Sequence, residues 1–405
     1  MSCSARPKAV QYGAGNIGRG FLGQLYAQSG YTTVFVDVDA ELVRLLNDRN
    51  EYPLRIAGKK KGTIRVADVC SVDGRSPEAT DVLINADIAS TAVGVHALDP
   101  VAGSIAGALE KRFESGNETP LDIIVCENLL DAGGYLKNKV REHIAAEHAG
   151  ALDSRIGFVN ASIGRMVPIM TPEMRKGDPL LVVVEEYCRL PVDQAAFRGP
   201  IPPIEGLEPR ENFVAYVERK LFVHNTGHAV AAYLGYLRGH TYIHEAVADG
   251  EILAFVEAAM AESKLALIRK HSMDETELND HIADLVRRFG NAALEDTVAR
   301  VANDPVRKLG PQDRLVGAAN NAVSQNVTPQ AISLGVAAAL CYDEPTDPEA
   351  VKVRDVVDAD GIEKALETFC ELTADDVLTQ LVLDGLQRLE NNGWIDPNTK
   401  RRRTS

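Results

Sequence analysis

Features that would mark a disulfide scaffold, a metal finger, a membrane protein or a nucleic-acid binder are largely missing from this 405-residue chain. Its six cysteines (Cys3, Cys70, Cys126, Cys188, Cys341 and Cys370) are scattered with no C-x-x-C pair, which predicts reduced, mostly buried thiols and no metal site. A basic excess is also absent. The 43 Lys+Arg against 58 Asp+Glu leave a formal net charge of −15, whereas a nucleic-acid binder carries a clustered basic face. Two basic runs remain. Lys59, Lys60 and Lys61 sit between Gly58 and Gly62 and read as a solvated turn; Lys400, Arg401, Arg402 and Arg403 lie beyond Pro397 and read as a frayed tail. No apolar run is long enough for a signal peptide in the opening MSCSARPKAVQYGAG. The uncharged run 315–342 is broken by Asn320, Asn321, Gln325, Asn326 and Pro329, so it does not read as a membrane span. The sequence predicts a cytoplasmic protein, a monomer or small homo-oligomer, with neither nucleic acid nor membrane as partner.

What is present is ordinary globular composition, 45% apolar and 25% charged, in a chain long enough for two or three domains. The N-terminal half alternates short apolar runs at 9–12, 33–38, 82–85, 123–126 and 156–162 with helical spacing at 19–29 and 41–48. Such alternation predicts a parallel sheet with helices on both faces. A further strand is expected within 180–187. The Pro- and Gly-dense RGPIPPIEGLEP that follows reads as a linker, and beyond it Ala, Leu, Glu and Val recur at helical spacing. Ser272 and Glu275 have the S-x-x-E form of a helix N-cap. The expected organisation is an α/β Rossmann-like dinucleotide-binding domain over 1–199 and a linker over 200–212. A mostly α-helical domain over 213–395 and a basic tail over 396–405 complete it.

Gly13-Ala-Gly15-Asn-Ile-Gly18 follows the strand KAVQY and opens a helical pattern. In that context Gly13 permits a tight turn, Gly15 lets a pyrophosphate approach the backbone, and Gly18 lets helix and strand pack closely. The helix N-terminus adds open N–H groups and a positive dipole end. A second strand ends in Asp37, placed to accept ribose hydroxyls and to repel a 2′-phosphate. With no Arg immediately after it, this predicts NAD rather than NADP.

Past the linker stands Lys220-Leu-Phe-Val-His224-Asn225-Thr-Gly-His228. On a uniform α-helix, His224, His228 and Asn225 fall at about 40°, 80° and 140° from Lys220, one sector of the surface. Oxidation of an alcohol by hydride transfer needs a base for the hydroxyl proton and donors for the developing alkoxide. A Lys of depressed pKa, an Asn amide and a His suit those tasks. A solvated helix face with a chance His is the alternative, and spacing alone does not choose between the two histidines.

Here the chain resembles a known family. Lys220, Asn225 and His228 match the K-x-x-x-x-N-x-x-H motif of the polyol-specific long-chain dehydrogenases/reductases, the mannitol dehydrogenase family. QYGAGNIGRGFLG, STAVG, GNETPLDIIVCEN, FVAYVERKLFVHNTGHA and RKLGPQDRL resemble, in the same order, the branch that acts on mannitol 1-phosphate. The similarity runs from about residue 8 to residue 340. It implies NAD-dependent interconversion of mannitol 1-phosphate and fructose 6-phosphate without a metal. Lys220 would then be the general acid/base, Asn225 and Asn128 would stabilise the alkoxide, and His228 rather than His224 would hold substrate and position Lys220. Gly13, Gly15, Asn16, Ile17, Gly18, Asp37, Ala92, Val93 and Gly94 would meet the cofactor.

One departure stands out. Where the family carries Asp before the Arg of a D-R-I/V-x-P-like segment, this chain has Gly164 before Arg165, which leaves space for a differently shaped substrate. A phosphorylated substrate needs local cations in so acidic a protein. Arg307 and Lys308, near Arg314, and also Arg165 are the candidates. Two competing readings are a dehydrogenase of an unphosphorylated polyol or sugar acid, and an NAD-binding protein without turnover.

Overall fold

The computed structural model describes residues 6–58, 62–168 and 170–403; Cys3 and the 59–61 lysine run lie outside them. The chain divides into two compact units, Met1–Tyr216 and Val217–Ser405.

In the first unit, strands β1 (Lys8–Tyr12), β2 (Thr32–Asp37), β3 (Glu51–Ala57), β4 (Gly62–Ala67), β5 (Val69–Asp73) and β6 (Ile88–Thr91) are followed by β7 (Leu121–Val125), β8 (Ile156–Asn160), β9 (Val182–Glu185), β10 (Leu190–Asp193) and β11 (Leu207–Arg210). Six of them form one sheet in the order β5-β2-β1-β6-β7-β8, every neighbouring pair parallel. Alternate residues serve opposite faces. Val10 and Tyr12 pack with Leu98, Ile105 and Leu109 of helix Leu98–Glu114 and with Leu136 and Val140 of helix Ala132–His143. Ala9, Ile88 and Ile124 pack on the other face with Phe21, Leu22 and Leu25. A parallel sheet covered in this way is buried on both faces, which explains its unbroken apolar strands. The order reverses between β1 and β6, and a doubly wound sheet opens its ligand crevice at the carboxyl ends of such a pair.

Three local readings are corrected. The expected strand at 82–85 is a turn. Its carbonyls face the buried Arg112 guanidinium, which donates to Leu83 O at 2.7 Å, Ile84 O at 3.2 Å and Ala86 O at 3.1 Å. Val82 and Leu83 are apolar because they pack into the core, not because they pair; the strand is β6, immediately downstream. The Pro/Gly-rich stretch is no free linker: β11 pairs in parallel with β10, and Ile204 is buried. Strands β3, β4 and β9 form a separate small sheet, of which only β9 was expected.

The second unit is helical. Its central helix, Asn225–Leu237, is buried on nearly all sides and packs against helices Gly250–His271, Gln330–Leu340 and Val298–Ala302. Gly227 belongs there for packing, since a Cβ on it would lie 2.6 Å from Met260 Sδ. Ser272 is not an N-cap but the left-handed terminus of helix Gly250–His271. Asp274 caps the next helix, Glu275–Phe289, accepting the Glu277 N–H at 2.8 Å. The basic tail is docked rather than frayed. Arg402 bridges to Ile395 and its guanidinium lies 5.0 Å from the Tyr236 ring centre, while Lys400 and Arg401 pair with Glu390 and Asp358. Among the described residues no helix is long and apolar enough to cross a membrane.

Candidate functional site

The first unit places Gly13, Gly15, Asn16, Ile17, Gly18, Asp37, Ala92, Val93 and Gly94 at the carboxyl ends of β1, β2 and β6. The three glycines have separate reasons to be glycine. Gly13 has φ +89°, and a Cβ on it would collide with the Ala92 carbonyl; a Cβ on Gly18 would collide with the Gly13 carbonyl. A Cβ on Gly15 would meet no protein atom. Its bareness therefore serves no packing need and leaves room for an approaching group, as a pyrophosphate requires. The helix entered here begins with a wide π turn, Gly18–Leu22. Asp37 is fixed at the end of β2: Oδ2 accepts the Ala14 N–H at 2.6 Å and Oδ1 the Asp39 N–H at 2.9 Å. Each oxygen keeps a lone pair for a ribose hydroxyl. The residues present thus fit a dinucleotide, from adenosine ribose to pyrophosphate.

Beyond β6, Ala92 donates to Tyr12 O at 2.9 Å. The Val93 and Gly94 N–H groups are taken by the Glu127 carboxylate at 2.8 and 2.9 Å. Sequence reasoning missed Glu127, although it lies inside the C-E-N segment. Asn128 follows it, on the exposed side of the loop after β7.

Arg165 is not a substrate cation. Only 4% exposed, it donates to Glu185 O at 3.1 and 2.6 Å, to Gly20 O at 2.9 Å and to Gln24 Oε1 at 2.7 Å. Its guanidinium holds the loop after β8 to the first helix. Nor does Gly164 leave open space, because a Cβ there would touch the Tyr187 ring at 3.4 Å.

In the second unit, Lys220–His224 forms another π turn, closed by the Asn225 N–H donating to Lys220 O. The extra residue in that turn changes the angular count, so that Asn225 stands about 40° from Lys220 instead of about 140°. It thereby brings Asn225 and His228 onto the lysine's face. The Asn225 amide, 8% exposed, makes no hydrogen bond within the described residues. Its neighbour Thr226 donates its hydroxyl to Arg314 O at 2.6 Å, tying the loop of Lys308 and Arg314 to this helix.

Burial lowers Lys220 to a pKa of about 8, helped by Arg314 and Arg307 and opposed by Asp313. Lys308 is lowered to about 7, by burial first and then by Arg314 and Arg307. It is 4% exposed, and its ammonium has no hydrogen-bond or ion-pair partner among the described residues. Arg307 differs in being half-exposed and engaged by Asp304 at 2.7 Å and Asp313 at 3.0 Å. His228 stacks on Phe289 with ring centres 4.7 Å apart. Its Nε2 lies 3.1 Å from Asp296 Oδ2, off the line of a straight hydrogen bond, and Asp296 is also held by Arg300 Nε at 2.6 Å. Burial keeps His228 below its ordinary value, with Asp296 opposing. His224 is pushed well below by burial and then by Arg288. Asp296, Asp304 and Asp313 were not anticipated; the only available signal was the four-residue spacing of Asp296 and Arg300. A partly neutral amine, a free amide donor and an unpartnered cation together make an acid/base site with room for an anion.

Comparison with known proteins accounts for both units. Residues 7–206 match the mannitol dehydrogenase Rossmann domain, and residues 212–389 the mannitol dehydrogenase C-terminal domain. A mannitol-1-phosphate 5-dehydrogenase of Geobacillus stearothermophilus is 39% identical over 385 residues, covering 94% of this chain and all of that protein. Among solved structures, Pseudomonas fluorescens mannitol 2-dehydrogenase, in complex with NAD and D-mannitol, superposes with a TM-score of 0.74 at 20% identity over 98% of this chain and 94% of its own. A D-sorbitol dehydrogenase gives 0.80 at 18% identity, with the same coverage of each chain. With both units matched in order and a relative this similar over its whole length, the chain belongs to the mannitol dehydrogenase family.

Proposed function

We propose that this protein is a cytoplasmic enzyme that interconverts mannitol 1-phosphate and fructose 6-phosphate with NAD. The observation that carries the reading is Lys308, a buried cation without a partner among the described residues, in the same group of charges as Lys220. Burying an unpaired ammonium is costly, and a substrate phosphate is the partner that would offset the cost. The activity named for the 39% identical relative supports the same reading.

Bound NAD supplies the hydride acceptor for oxidation and, when reduced, the donor for reduction. The chain's own residues do the rest. Asp37 holds the adenosine ribose, Gly15 leaves the pyrophosphate its space, and the open amides that begin the following helix face it. In oxidation Lys220 Nζ, as the neutral amine, takes the hydroxyl proton as the C–H hydride departs; in reduction the ammonium returns it. Asn225 and Asn128 donate to the substrate oxygen as its charge develops. His228, held by Asp296 and Phe289, hydrogen-bonds the substrate, and Lys308, with Arg307 nearby, takes the phosphate. No metal ion is assigned a role, because Lys220 handles the proton and the two amides meet the oxygen's charge.

The test is NADH consumption with fructose 6-phosphate and fructose in parallel, for the wild type and Lys308→Met. Fructose 6-phosphate should be strongly preferred. The variant should raise its KM about tenfold or more, the value of one charge-assisted contact, and leave fructose kinetics little changed. Preference for fructose or a sugar acid would overturn the substrate assignment. NADH binding without turnover of any ketose would overturn the enzymatic one.

A further inference from the structure

Glu127 is a buried carboxylate that joins the loops after β6 and β7 at the crevice of the sheet. The ladder between β6 and β7 pairs Thr91 with Val125 and is extended by one bond, from Cys126 N–H to Thr91 O at 3.0 Å. After it both chains leave the sheet. Glu127, 7% exposed, reaches across the divergence, Oε1 accepting the Val93 N–H at 2.8 Å and Oε2 the Gly94 N–H at 2.9 Å. Gly94 has φ +86°, and a Cβ on it would meet no protein atom. Val93 and Gly94 therefore turn their amides inward to the carboxylate, and Gly94 leaves open space beside them at the topological switch point. Burial disfavours the charged carboxylate, and the two N–H bonds work against that.

We propose that Glu127 is a positioning residue, resting on the NAD-dependent reading above, that sets segment 92–94 against the nicotinamide half of the cofactor and fixes the backbone that carries Asn128. The adenosine half is held elsewhere, by Asp37 and the turn at Gly13–Gly18, so Glu127 acts on one end of the ligand only. A carboxylate suits the task because it accepts two N–H bonds; a carboxamide accepts one and turns its own N–H₂ toward the other donor.

This asymmetry is the basis of the test. Binding of NADH and of ADP-ribose, which lacks the nicotinamide, is measured by titration for wild type, Glu127→Gln and Glu127→Asp, together with kcat and KM for fructose 6-phosphate. Glu127→Gln should weaken NADH by about tenfold or more, as loss of a charge-assisted bond predicts, and leave ADP-ribose within about twofold. Its kcat should also fall, through Asn128. Glu127→Asp, which keeps both acceptors, should restore part of each effect and covers the case in which Glu127→Gln fails to fold. Equal weakening of both ligands would indicate a purely structural carboxylate and overturn the proposal, as would no change in either. A wild type that binds neither ligand would instead overturn the dinucleotide reading itself, and the proposal with it.

Discussion

Replacing Arg314 with leucine should move the pH dependence of catalysis to higher pH, and replacing Asp313 with asparagine should move it to lower pH. The reasoning begins with Lys220. An ordinary lysine amine at pKa 10.5 is neutral in about one molecule in 3,000 at pH 7, and one at about 8 in roughly one in ten, so the burial of Lys220 enlarges the supply of base about 300-fold. Arg314 adds to the lowering and Asp313 opposes it. Arg314 is itself paired with Asp313 at 2.7 Å. Deleting the arginine therefore removes a cation and also leaves a carboxylate less neutralised, and both changes favour the ammonium. A rise of about one pH unit is expected, which at pH 7 lowers the neutral fraction about tenfold. Deleting the carboxylate has the opposite sign for the same reason.

The assay is kcat/KM against pH, in both directions, at saturating cofactor. Oxidation needs the neutral amine, so its rate should rise through about pH 8 and then level. Reduction needs the ammonium and should fall through the same pH. The midpoint is the readout, because Arg314 could also touch substrate and change the height of the curve without moving it. Lys220→Ala supplies the control: turnover should drop on the order of 10²–10⁴-fold and the step at pH 8 should vanish, with NADH binding unchanged. If Arg314→Leu and Asp313→Asn shift the midpoint in the same direction, or neither shifts it, the titrating group is not Lys220 in this electrostatic setting.

Two further expectations concern the cofactor. Gly15→Ala should leave the melting temperature unchanged, since the new methyl meets no protein atom, yet weaken NADH binding; Gly13→Ala should instead lower the melting temperature, having both a positive φ and the Ala92 carbonyl against it. Thermal melts with and without NADH separate the two, and equal behaviour of the variants would contradict the packing described. Asp37→Ala should raise the NADP-to-NAD ratio of kcat/KM by on the order of 10- to 100-fold, the effect of removing one like charge near a 2′-phosphate. An unchanged ratio in steady-state kinetics would mean that another residue reads the ribose.

The doubly wound sheet was legible because its signals are local: a strand, three glycines with distinct duties, a helix and a carboxylate at the end of the next strand all lie within residues 8–37. The helical character of the second unit was legible from its spacing. What escaped was set by partners distant in sequence. Val82 and Leu83 have the composition of a strand, but the Arg112 guanidinium, on a later helix, takes the carbonyls of Leu83, Ile84 and Ala86. The terminal arginines looked solvated because the acids and aromatic ring that receive them, Asp358 and Tyr236, are remote in sequence. A uniform helix put Asn225 at the far edge of the sector shared with Lys220; a single π turn, which residue types do not announce, brings it to within about 40° of the lysine.

The cations show most clearly where sequence reasoning stops. Arg165 and Lys308 both stood in family-like segments, both were candidates for a phosphate, and both are buried to the same degree. A guanidinium offers five donors in a fixed fork and a buried one must spend them. Arg165 spends its donors on two backbone carbonyls and Gln24, which makes it part of the scaffold. Lys308 has one ammonium with no ion-pair partner among the described residues, and burial with the nearby Arg314 and Arg307 lowers its pKa to about 7. An approaching phosphate would raise that pKa again, so binding should take up a proton at neutral pH. Lys308 is thus a cation completed by its ligand, whereas Arg165 is completed by the fold. Residue type nominates both, and only the count of satisfied donors tells them apart.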